Sequence, residues 1–122
     1  MYGRSGSLDT STTDVSFFVG AYLTQVCFGK FDLGLNFDHP PSSIMIQSSF
    51  GIQKPSGALE KYGISDVTQL KDLLNCDVTS ANWGEQGTLI LTFEGGNRLM
   101  VFDDSDQYES YTISHSGPLI VV

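Results

Sequence analysis

Apolar side chains are sparse in residues 1–13 (MYGRSGSLDTSTT), where Ser, Thr and Gly offer little burial to offset the entropy of ordering a backbone. A flexible N-terminal tail is expected there. From Asp14 the pattern turns dense, with Val15, Phe17, Phe18, Val19, Tyr22, Leu23, Val26 and Phe28 close together, so residues 14–122 read as one β-rich domain whose core starts at once. In FDLGLNFD, Phe31, Leu33, Leu35 and Phe37 alternate with Asp32, Gly34, Asn36 and Asp38, the period of a half-buried strand. A turn follows at DHPPSS, and Ser43 to Phe50 (SIMIQSSF) reads as one further short strand. Gly51 to Gly63, with Pro55 and Gly57, reads as a surface connection.

Val67, Leu70, Leu73 and Leu74 then fall at helical spacing behind Ser65, a residue suited to capping, and predict one amphipathic helix. The run TLILTFEGGNRLMVF predicts a hairpin: two β-rich segments flank Glu-Gly-Gly-Asn, with Leu89, Leu91 and Phe93 on one face and Leu99 and Val101 facing them. Tyr108 to Ser114 and Gly117 to Val122 read as two more strands. A faint repeat sets Val26, Leu33-Leu35-Phe37-Asp38 and Ile44-Met45-Ile46 beside Val78, Leu89-Leu91-Phe93-Glu94 and Leu99-Met100-Val101. The expected fold class is α+β, mainly antiparallel, with two meander or hairpin units and about one helix.

Charge changes the picture of what such a domain could bind. Fourteen Asp and Glu against six Lys and Arg give a formal charge of −8. That field repels phosphate backbones and anionic lipid over a Debye length of about 10 Å, so direct binding of nucleic acid or membrane is not expected. The same field speeds encounter with a basic protein. No run of about 18 apolar residues suggests a membrane span, and residues 1–14 lack the apolar region of a secretory signal, so a cytoplasmic protein is expected.

Little in the chain points to chemistry. His39 and His115 have no partner by motif, and there is no G-x-S-x-G elbow. Cys27 lies in an apolar stretch and reads as a core thiol; Cys76 precedes Asp77, which disfavours a thiolate. Neither cysteine forms a CxxC pair, and no metal site or cofactor is expected. The tract from Asp103 to Glu109 lacks the offsets of a calcium loop, yet its carboxylates beside Tyr108 suit docking of Lys and Arg. Trp83, in ANWGEQG, is either a lid over the core or an exposed anchor.

The segments LTQVCFGKFDLGLNFD and LLNCDVTSANWGEQGTLILTFEGGNRLMVFDD, with the ending YESYTI, resemble small acidic bacterial proteins, some of them immunity proteins of polymorphic or contact-dependent growth-inhibition toxin systems. The resemblance implies a protein that binds a neighbouring toxin domain, possibly a nuclease with a basic cleft, and covers its active site. It carries over no binding residue, because immunity surfaces vary between relatives.

The sequence reading is therefore a non-enzymatic, monomeric inhibitor of a basic toxin domain. Its charge would come from Asp103, Asp104, Asp106, Glu109, Glu94 and Glu85, and its anchors from Trp83 and Tyr108. Two alternatives stand beside it. In a small-molecule-binding or enzymatic domain, Tyr22, Tyr62, His39 or His115 would converge in a pocket. In a homo-oligomeric module, edge strands such as the terminal LIVV would pair.

Overall fold

The computed structural model describes residues 13–105 and 109–122. Most of the tail expected at 1–13, and Asp106 and Tyr108, lie outside the described residues. Among the described residues, ten strands form two five-stranded antiparallel sheets. They are β1 (Tyr22–Phe28), β2 (Leu33–Asp38), β3 (Ser42–Ile46), β4 (Ser49–Gln53), β5 (Leu59–Gly63), β6 (Val78–Trp83), β7 (Leu89–Phe93), β8 (Arg98–Phe102), β9 (Tyr111–Ser114) and β10 (Ile120–Val121). One sheet has the order β1-β2-β3-β9-β10 and the other β5-β4-β8-β7-β6.

Each sheet is thus a three-stranded meander extended by a hairpin from the other half of the chain. Hairpin β4–β5 follows the first meander but joins β8; hairpin β9–β10 follows the second but joins β3. The pairing matches on the two sides. Ile46 of β3 meets Tyr111 of β9, while its counterpart Val101 of β8 meets Phe50 of β4.

The match extends to single hydrogen bonds. A β-bulge interrupts β1 between Leu23 and Gln25 and β6 between Val78 and Ser80. The residue inside each bulge is Thr, and Thr24 Oγ1 donates to Asn36 O (3.0 Å) as Thr79 Oγ1 donates to Thr92 O (3.2 Å). Each meander is preceded by a short 3₁₀ segment, Ser16–Phe18 or Val67–Leu73. After it comes a residue with positive φ, Gly20 (90°) or Asn75 (66°). Gly20 N–H donates to Val78 O (2.8 Å) and Asn75 N–H to Leu23 O (2.7 Å), so each half supports the start of the other. The repeat read in the sequence therefore has a structural counterpart, with one adjustment: Leu23, not Val26, corresponds to Val78.

Apolar side chains from both inner faces fill the core. Leu33, Leu35 and Phe37 of β2 and Leu89, Leu91 and Phe93 of β7 are all buried, as their alternation required. The hairpin expected from Leu89 to Phe102 is present, and its turn is made by Gly95 and Gly96, both at φ 95°.

Several expectations need correction. The amphipathic α-helix is the 3₁₀ segment Val67–Leu73, preceded by Asp66 instead of Ser65. Only Leu70 and Leu73 in it are fully buried, three residues apart, which is the period of a 3₁₀ turn. The mostly antiparallel β character holds, with little helix. The strand expected over Ser43 to Phe50 is two strands in different sheets, and the connection expected over Gly51 to Gly63 contains most of the β4–β5 hairpin. Cys27 is exposed, not a core thiol, and Val19 and Phe28 are also exposed. Among the described residues no helix is long and apolar enough to cross a membrane.

Candidate partner-binding surface

β6 and β8 both end, and β7, β4 and β9 begin, at one end of the molecule. The residues around these strand ends include most of the acidic positions singled out in the sequence. Glu85 opens a short 3₁₀ turn (Glu85–Gly87) between β6 and β7, and Asp103, Asp104 and Glu109 lie in the crossover from β8 to β9. The Tyr111 hydroxyl, donating to Gly87 O, ties the turn to the crossover. Glu94 is not part of this group: it follows β7 and sits at the opposite end of that strand.

The acids play different parts. Asp103 is half-buried and structural: its Oδ1 accepts from the hydroxyl of the fully buried Ser110 (2.7 Å), which in turn accepts from Ser105 N–H (3.0 Å). Asp104 Oδ2 accepts from Ser49 Oγ (2.6 Å) and pairs with Lys61 Nζ (2.9 Å). Partial desolvation pushes the Asp104 carboxyl up, but the Ser49 hydroxyl and the Lys61 ammonium outweigh it and hold it below the ordinary carboxylate value. Glu85 and Glu109 are exposed.

Trp83 is partly buried and packs on the core, and its Nε1–H donates to Thr13 O (2.8 Å). It is a lid that fastens the start of the described chain. Thr13, assigned to the tail from sequence, is held by this bond.

Of the groups named for an enzymatic reading, Tyr22 and His39 meet, while His115 and Tyr62 each pack on a different aromatic ring. His115 stacks on Phe17 (ring centroids 4.2 Å apart, planes 3°), Tyr22 lies against His39 (5.5 Å, 22°), and Tyr62 packs on Phe50. Burial, with Glu60 and Asp66 nearby, raises the Tyr62 hydroxyl above its usual pKa. Of the four, only His115 lines the cleft of about 400 Å³ beside β2, β3 and β9. No group of three or more His, Cys, Asp or Glu able to hold a metal occurs among the described residues. Ile120–Val121, in the segment considered for homodimer pairing, hydrogen-bonds on one side to β9 of its own chain.

Sequence reasoning missed two features. Ser110 is wholly buried but polar, and nothing in YESYTI marks it as the anchor for Asp103. Lys54 and Arg98, far apart in sequence, line one cleft because β4 pairs with β8. A search for cations beside Gly-containing turns could have raised them as a pair.

Fold and surface together define a two-sheet antiparallel β domain with carboxylates around one end. The chain belongs to DUF6188, a family of unknown function, which matches residues 15–122. No curated protein and no solved structure matches it.

Proposed function

We propose that this protein works by stoichiometric binding, as an immunity-type inhibitor that covers a basic surface of a toxin domain. The carrying observation is that Glu85, Asp104 and Glu109, all exposed, are placed around one end of a chain with net charge −8. Carboxylates so placed steer a basic partner toward that end and accept bidentate hydrogen bonds from its Arg side chains. Asp103 supports the surface from behind by holding Ser110. Trp83 acts through packing instead of direct contact. The resemblance to immunity proteins supports the same reading, and the partner would be a basic protein in the same compartment.

The test compares wild type with a Glu85→Gln, Asp104→Asn, Glu109→Gln triple variant as bait in native lysate, with salt raised stepwise in the wash. Wild type should retain one basic protein, whose toxicity it suppresses on co-expression. The folded triple variant should release that protein at lower salt. Equal retention by both baits would remove this end of the molecule as the binding surface, and a captured protein with no toxicity to suppress would overturn the inhibitor reading.

A further inference from the structure

The matched halves produce a matched pair of clefts, one beside the β2–β3 turn and one beside the β7–β8 turn. Ser43 pairs with Ser114 across β3 and β9, and Arg98 pairs with Gln53 across β8 and β4. These are the same positions in the two sheets. His115 follows Ser114 and Lys54 follows Gln53, so each cleft carries a nitrogen base at the same place, in the turn of the hairpin received from the other half. Pro41 and Ser43 help line the first cleft, Gly96 and Arg98 the second.

The second cleft, about 200 Å³, is lined by Gln53, Lys54, Pro55, Gly57, Gly96 and Arg98, with no carboxylate among them. Its backbone donors are already used. Lys54 N–H bonds Ala58 O (2.9 Å), Gly57 N–H bonds Lys54 O (2.8 Å), and Gly96 N–H bonds Phe93 O (2.9 Å). The Gln53 amide donates to Gly57 O (3.3 Å). The donors left facing the cleft are the Lys54 ammonium and the Arg98 guanidinium, and neither is in an ion pair among the described residues. Lys61, by contrast, has Asp104. Two of the chain's six basic residues therefore line one small cleft without an ion-pair partner among the described residues, in a chain with fourteen acids. Turn–turn packing shapes the cleft, since a side-chain carbon at Gly96 would come within 3.1 Å of Pro55.

We infer that the Lys54–Arg98 cleft is a subsite for an oxyanionic group, the phosphate or carboxylate terminus of a ligand. The planar guanidinium fork supplies two parallel donors to such a group and the ammonium a point charge. The inference is independent of the acidic end and its partner.

The probe is inorganic phosphate, titrated into ¹⁵N-labelled protein above neutral pH, against sodium chloride at matched ionic strength. Expected are saturable shifts of the Gly57 and Gly96 amides and the Arg98 side-chain N–H, with Gly117, beside His115 in the other cleft, unmoved. Lys54→Gln and Arg98→Gln are exposed changes that leave the fold intact, and each should weaken phosphate binding about tenfold, as expected for a hydrogen bond to a charged group. Shifts reproduced by chloride, shifts that never saturate, or an affinity unchanged in Arg98→Gln would each overturn the subsite. A carboxylate probe run in parallel distinguishes the two sources of the oxyanion.

Discussion

Gly20 and Asn75 show how narrowly a position can be defined by its backbone. Both have positive φ, and Gly and Asn are the residues that enter this region at least cost. A side-chain carbon at Gly20 would meet no atom within 4 Å, so conformation and not space is what demands glycine. Gly20→Ala should therefore destabilise by about 1 kcal/mol, and Gly20→Asn by less, read as a lower urea midpoint at unchanged slope. Asp104 gives a prediction in pH. Its carboxyl is held low in the folded protein, so the stability it contributes is present above the ordinary carboxylate range and is lost as pH falls through the lowered value. Asp104→Asn should flatten the acid limb of the stability curve. The loss at neutral pH should stay under about 1 kcal/mol, because the pair is largely solvated. The exposure of Cys27 was hidden for a residue-scale reason too: the bulge at Thr24 shifts the alternation of β1, leaving Leu23 buried and Cys27 on the outer face.

Among elements, those with contacts close in sequence were legible. The β7–β8 hairpin could be read from its alternation and its Gly-Gly turn. The break between β3 and β4 could not. Ile44, Ile46, Ser48 and Phe50 keep a period of two straight through it, and the bonds that turn the chain into the other sheet come from far along the sequence. Gln47 N–H reaches Ser110 O (2.9 Å), and Ser48 Oγ reaches Phe102 O (2.6 Å). The crossover from β8 to β9 relies in the same way on Ser110. Ser110→Ala would remove one hydrogen bond from the Asp103 carboxylate and one from the Ser105 N–H in a part-buried site. A loss of about 1–3 kcal/mol in denaturant unfolding is expected. Ser49→Ala, at an exposed bond, should cost less. The carboxylate tract was legible as charge, but its division into a structural Asp103 and an exposed Glu109 depends on this fold-back.

At the scale of the molecule, the exchange of hairpins makes two similar halves into one cooperative unit. Hairpin β4–β5 has its sheet neighbour in β8, and β3 has one neighbour in β9. Residues 13–64 made alone should not give a folded monomer, whereas the whole chain should unfold in a single transition. Circular dichroism and gel filtration of the fragment, with Trp83 fluorescence and far-ultraviolet melts of the whole chain, check both outcomes. A folded, monomeric fragment would contradict the exchange. The sequence hinted at the repeat through Leu33-Leu35-Phe37 and Leu89-Leu91-Phe93, but no pattern of apolar residues says which hairpin joins which sheet.

The crossed connections also bear on the order in which the molecule can be made. As the chain leaves the ribosome N-terminus first, the first meander emerges with β3 as a bare edge, beside a hairpin whose partner strand does not yet exist. That edge is covered only when Tyr111–Ser114 have been synthesised. Until then the nascent protein presents an unpaired strand capable of joining a neighbour's, so its safe assembly depends on synthesis of β9 outpacing encounter with another copy at the same stage.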